Sequence, residues 1–279
     1  VGIRMVAEWF PRSELGTAEG IYGGWGNFGA AAATLGLPPL AALIGGPDAW
    51  RWATGGVGVA AALYGLAYYR AVDDTPAGVP FERTRSATAL QVPDRRSVFG
   101  LMALSVPLAM ALGVIVWRIR VAGVIDQAGL LAGLAFVAVL LGLQCTAIWR
   151  TNGAARANAV PAAEQYPFRS VVVLSVAYAC TFGSELAAVS FLPEYFERTW
   201  GLSEMAAGAA AAGFAVLNLV SRPMGGMLSD VVASRRRWLS TLLAGLSLGF
   251  VALSTVSGDW PVAAAFGLVV VTSLFAQLG

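Results

Sequence analysis

The chain has 279 residues, 57% of them hydrophobic and only 12% charged, with a formal net charge of +2 at pH 7. A soluble domain carries about twice that charged fraction, and so small a net charge makes no case for a nucleic-acid partner. The 18 basic residues are all Arg, and there is no His, which removes the usual proton shuttle and metal ligand, so no metal or other cofactor is expected.

Apolar runs of roughly 18 to 25 residues recur along the chain, which predicts an all-α multi-pass membrane protein. The sequence opens on Val1 rather than Met, residues 1–10 read as the last turns of a helix already under way, and an apolar run reaches Gly279. With no signal peptide in view, this reads as a fragment of a longer protein. The spans predicted after the opening stub are 17–44, which Pro38-Pro39 should bend or interrupt, 52–69, 99–117, 129–148, 171–192, 205–228, 238–256 and 261–278. Polar links at 70–97 and 150–169 divide them. Cys145 and Cys180 lie far apart in apolar runs without CxxC spacing and are expected to be buried thiols.

Arg placement sets the orientation. Arg12, the 70–96 stretch, the 150–169 link and Arg235-Arg236-Arg237 fall on one side if the spans alternate, while the opposite loops hold Arg51 and Arg198. The Arg-rich side is expected to be cytoplasmic. Arg118 and Arg120, at the outer end of the 99–117 run, depart from the rule.

Two charges sit well inside apolar spans, where an ionised side chain costs about 3 kcal/mol or more and usually serves function. Arg222 shares a helix face with Asn218 and Ser229, and Pro223 next to it predicts a local bend. Its planar fork can donate paired hydrogen bonds to an oxyanion, and the plain alternative is a snorkelling side chain. Tyr178, Phe182 and Glu185 share a face at spacings of four and three. Glu185 is either a proton acceptor with a desolvated carboxyl or a structural partner for an Arg.

The stretch "GIYGGWGNFG" carries Gly20, Gly23, Gly24, Gly26 and Gly29 around a lone Asn27. A stripe of Gly16, Gly20, Gly23 and Asn27, continued by Ala31 and Thr34, lets two helix backbones approach closely. Packing explains the glycines. The Asn27 amide bonds either to a neighbouring helix or to a ligand. "GGMLSDVVASRRRW" reads as a tight loop in which Gly225, Gly226 and Asp230 precede Arg235, Arg236 and Arg237; Asp230 can cap the following helix or pair with an Arg of the cluster.

These motifs resemble the major facilitator superfamily. "GGMLSDVVASRRRW" is similar to the superfamily's loop motif in its C-terminal-half copy. "GIYGGWGNFG" resembles the nitrate signature of the nitrate/nitrite porter family, and "FPRSELGTAEG" the lead-in to that helix. "YACTFGSELA" and "NLVSRPMGGMLSD" resemble that family's seventh and eighth helices. The resemblance implies a partial major facilitator fold, from the end of the family's fourth helix into its tenth. It divides as 1–70 (N-half helices), 71–98 (cytoplasmic loop), 99–168 (an inserted hydrophobic hairpin and polar link) and 169–279 (C-half helices). It further implies a nitrate transporter in the cell (inner) membrane that works by alternating access around a midplane site, and a monomer is expected. Arg222, Asn27, Tyr178 and Phe182 match the family's substrate-binding residues. The acid at Glu185 favours nitrate/proton symport over nitrate/nitrite antiport. The expected partners are nitrate, nitrite, protons and the lipid bilayer. A carrier for another small anion, a scaffold built on a carrier fold and a membrane-embedded enzyme are the rival readings. The enzyme is disfavoured by the lack of any nucleophile or metal-ligand motif.

Overall fold

The computed structural model describes residues 2–80 and 89–279, which form helices and their connections, with no strand among the described residues. The helices are α1 (Gly2–Trp9), α2 (Leu15–Ile44), α3 (Ala49–Ala71), α4 (Arg95–Ala103), α5 (Val106–Val121), α6 (Gln127–Thr151), the single turn α7 (Gly153–Arg156), α8 (Phe168–Trp200), α9 (Glu204–Val216), α10 (Asn218–Val231), α11 (Arg235–Leu253) and α12 (Val262–Gln277). Among the described residues, five stretches are long and apolar enough to cross a membrane: Leu15–Ile44, Arg95–Val121, Gln127–Thr151, Ala162–Trp200 and Glu204–Val231. α12 is a shorter apolar helix.

Two of the predicted spans are broken. The 99–117 run divides between α4 and α5, because Pro107 has no N–H to give the Ala103 carbonyl. The 205–228 run divides at Leu217, between α9 and α10. The opposite correction applies to α2, which runs uninterrupted through Pro38 and Pro39. The loss of two backbone donors near its C-terminal end is not enough to stop it, and Gly45 N–H still closes the final turn on the Ala41 carbonyl at 3.0 Å.

The chain divides into two compact units, one of residues 1–81 and 177–279 and one of residues 82–176, the division falling within α8. In the first, α8, α9, α11 and α12 share a core of Ala188, Leu192, Phe196, Ala211, Phe214, Leu246 and Val269. Against α10 lies α2, with small residues at the crossing. A methyl at Gly24 would stand 2.6 Å from the Asn218 carbonyl oxygen, one at Gly20 would strike the Arg222 carbonyl and one at Gly226 the Gly16 carbonyl. Apolar attraction between helices is weak in lipid, so close backbone contact of this kind is what holds them. The predicted stripe gains a member: Gly24 meets the α10 backbone after Gly16 and Gly20, while Gly23 lies against the Arg222 side chain. Gly26 and Gly29 face open space in this chain.

The second unit centres on Val92, Val98, Ile148, Ala155 and Phe168. Buried Asn152 clips an extended segment to the end of α6: its Oδ1 accepts from Val92 N–H at 2.8 Å, and its Nδ2 donates to the Leu90 and Ile148 carbonyls at 3.0 and 2.9 Å. Asp94 caps α4, accepting from Ser97 N–H at 3.0 Å and Ser97 Oγ–H at 2.9 Å. Those bonds, the backbone one foremost, hold its carboxyl below the usual 3.8.

The buried-thiol expectation is corrected, since Cys145 is half-buried and Cys180 exposed, both of them free. The apolar runs around them face outward as well as inward, as expected of helices whose outer surface meets lipid.

Two outcomes test this packing. Gly226→Ala should lower the stability of the full-length protein by about 1–3 kcal/mol, because the methyl meets backbone that cannot yield, read as a fall in thermal midpoint in detergent. Asp94→Ala should remove about 1 kcal/mol from the α4 end, read as faster amide exchange there. In the wild-type chain, the depressed carboxyl makes this contribution complete above the unfolded pKa near 3.8, and it fades as pH falls through the lower folded value.

Candidate functional site

Arg222 sits on α10 just beyond the break at Leu217, with its side chain 17% exposed. A guanidinium held in an apolar bundle must be paired and hydrogen-bonded. Glu185 of α8, 3% exposed, supplies the charge: its Oε2 accepts from Arg222 Nη2 at 2.9 Å. Asn218, fully buried one turn before Arg222, links the two. Its Oδ1 accepts from Arg222 Nε at 2.7 Å, and its Nδ2 donates to Glu185 Oε1 at 2.6 Å and to the Ala215 carbonyl at 3.0 Å. The last bond uses a carbonyl that the helix break leaves near its end.

Asn27 enters from α2. We assign its amide with Oδ1 toward the guanidinium, where it accepts from Arg222 Nε and Nη2 at 2.8 Å each. The reverse orientation would set N–H donors against N–H donors. Gly23, one turn before Asn27, lies beside the same side chain: a methyl there would stand 3.7 Å from Arg222 Cδ and 3.9 Å from Nη1. Nη1 makes no hydrogen bond among the described residues, so part of the fork is left for another acceptor.

Phe182 lies one turn before Glu185, and the guanidinium carbon is 5.9 Å from its ring centroid, within cation–π range. Tyr178 stacks on Phe182 with centroids 5.3 Å apart and planes 10° from parallel. It is 57% exposed, and its hydroxyl has no partner among the described residues. The structure thus brings Arg222, Asn27, Phe182 and Glu185 together, with Tyr178 one ring further out.

The loop motif does something the spacing did not foretell. Asp230 does not cap α11; Ser234 does, accepting from Arg237 N–H at 3.3 Å. Asp230 instead reaches across to the start of α2, accepting from Gly16 N–H at 3.2 Å, Thr17 N–H at 2.9 Å and Thr17 Oγ–H at 3.0 Å. The expected pairing with an Arg of the cluster is present, at 3.4 Å from Arg235 Nη2. Of this cluster, Arg236 and Arg237 make no ion pair among the described residues. Gln277 of α12 is a site neighbour that the sequence reading passed over. Its Oε1 accepts from Ser221 Oγ–H at 2.6 Å and its Nε2 donates to the Phe214 carbonyl, so it braces both sides of the break. A lone amide in the apolar run "SLFAQLG" was the available signal.

The family described as Major Facilitator Superfamily matches residues 1–278. The chain belongs to that superfamily. Among its relatives are the nitrate/nitrite transporters NrtP of a Picosynechococcus species, 38% identical over 99% of this chain and 57% of the relative, and of Nostoc punctiforme, 38% identical over 100% and 57%. The chain therefore spans a little over half the length of these two relatives. A shorter match, 48% identical over 22% of the chain, is to elsinochrome transporter 1 of Elsinoe fawcettii, 12% of whose length is covered. No solved structure matches. Superfamily membership and the apolar stretches described above make this a multi-pass membrane protein.

The cluster yields a test of its electrostatics. Glu185→Leu should destabilise the full-length protein by about 3–5 kcal/mol, by stranding a buried guanidinium. Adding Arg222→Met should recover most of that loss, because an apolar pair needs no compensation. Thermal unfolding of the single and double variants decides it, and equal instability of both would refute the coupling.

Proposed function

We propose that the chain forms part of a cell-membrane nitrate transporter that works by alternating access, with nitrate/proton symport as its mode. The observation that carries this reading is the shared cluster of Arg222, Glu185, Asn218 and Asn27, on a chain similar along its whole length to proteins named nitrate/nitrite transporters. Nitrate is planar and singly charged, with three acceptor oxygens. It suits a guanidinium fork, an amide edge from Asn27, the Phe182 ring face and the Tyr178 hydroxyl.

Glu185 supports proton coupling through charge balance. In the structure its carboxylate occupies one arm of the Arg222 fork, so the buried pair is neutral. An anion arriving beside an ionised Glu185 would leave a net negative charge in a low-dielectric site, which is costly. A proton on Glu185 removes that charge and loosens its hold on Arg222, and the site is neutral again with one proton and one nitrate aboard. Binding of either then favours binding of the other. The seam from Gly16 and Asp230 up to Gly24 and Asn218 supports closure on the Arg-rich, cytoplasmic side of the site.

The test is labelled-nitrate uptake into proteoliposomes holding the full-length protein, driven first by an inward proton gradient and then by internal nitrite alone. Gradient-driven uptake should fall by at least about tenfold in Arg222→Lys, which loses the paired donors. Glu185→Gln should lose gradient-driven accumulation and keep exchange. Uptake driven only by internal nitrite would replace symport with antiport, and no nitrate uptake from folded protein would move the reading to another small anion.

A further inference from the structure

The unit of residues 82–176 holds a groove that transport through the Arg222 site does not use. It has a volume of about 1000 Å³ and opens where α4 and α8 begin. Arg95, Arg96 and Arg169 line it, together with Phe99, Phe168 and Val172. Among the described residues, the one acid on its wall is Asp94, which is occupied in capping α4. None of the three arginines makes an ion pair among the described residues, although Arg96 helps keep the Asp94 carboxyl charged. Three guanidinium groups against one committed carboxylate leave the groove with unanswered positive charge.

Two further observations describe what could answer it. The first is position. The apolar stretch that begins at Arg95 runs to Val121, and Val106, Leu108 and Met110 along it are exposed. The arginines therefore stand at the mouth of a membrane span, and half-exposed Phe99 joins the groove to the span's outer surface. The second is rigidity. The Phe168 ring is buried against Gly100, where a methyl would stand only 2.8 Å from it. The segment entering the groove is fastened by Asn152 and by the Tyr166 hydroxyl, which donates to the Gln91 carbonyl at 2.8 Å. This is a formed site rather than a stretch of basic loop.

We propose that the groove binds an anionic phospholipid of the cytoplasmic leaflet, its phosphate on Arg95, Arg96 and Arg169 and its acyl chain along Phe99 and Val172. Basic pockets beside spans on the cytoplasmic side take anionic headgroups, because that leaflet concentrates them and each Arg adds attraction. A free phosphate would use the arginines alone and leave the apolar wall without a purpose. The lipid would tie the hairpin of α5 and α6 to the membrane surface.

The experiment places the full-length protein in nanodiscs of mixed phosphatidylglycerol and phosphatidylcholine and measures, by native mass spectrometry, which lipid stays bound. Phosphatidylglycerol should be retained preferentially. Each of Arg95→Gln, Arg96→Gln and Arg169→Gln should weaken retention about fivefold, and the triple variant roughly a hundredfold. Arg118→Gln, the same charge change at the other end of the hairpin, should leave it unchanged. The triple Arg→Lys variant should keep most of it, which separates loss of charge from loss of fold. Equal retention of the two lipids, or full retention by the triple Gln variant, overturns the proposal. Displacement of phosphatidylglycerol by inorganic phosphate also overturns it, in favour of a site for a small phosphate.

Discussion

A guanidinium cannot be left alone in an apolar bundle, and much of the first unit answers to that constraint. Arg222 needs a negative partner, and Glu185 comes from α8 to provide it. The pair needs its remaining donors and acceptors filled, and Asn218 and Asn27 fill them from α10 and α2. For Asn27 to reach, the α2 backbone must lie almost against α10, so side chains are absent at Gly16, Gly20 and Gly24. The helix breaks just before the inward-facing Asn218, and Gln277 bonds to both sides of the break. Packing, helix geometry and charge are thus one arrangement rather than three.

The same pairing makes the site responsive. A buried ion pair contributes little net stability, because desolvation offsets attraction. It is therefore a weak reason to hold helices together, and under the symport proposed above a good place for exchange, where an incoming anion and a proton would replace one internal contact by others of similar worth. The Asp230 contacts at the far end of α2 have a different character. They satisfy helix-end amides at the start of α2, which gives α2 and α10 a fastening outside the Arg222 cluster.

Much of this was legible in the sequence. Charges inside apolar runs marked Arg222 and Glu185, helix periodicity set Phe182 and Tyr178 on the face of Glu185, and the small-residue stripe announced a close helix contact. What pattern could not supply was the partner. Spacing along α2 put Gly23 in the stripe, and only the crossing with α10 adds Gly24, which meets backbone where Gly23 meets the Arg222 side chain. Asp230 lies next to an Arg cluster in sequence, yet most of its bonds go to residues more than 200 positions away. What a proline does depends on its place: two near the end of α2 do not stop it, while Pro107 falls where α4 gives way to α5.

The seam between α2 and α10 has a mechanical consequence. Interlocked side chains behave like gear teeth, and turning one helix on another means lifting each tooth from its slot. Where backbone rests on backbone there are no teeth. Two such surfaces can roll by a few degrees while keeping nearly the same contact, so the resistance to rocking is low although the approach is tight. Under the alternating access proposed above, tilting one bundle against another is served by a bearing of this kind, and glycine is the residue that leaves its surface smooth.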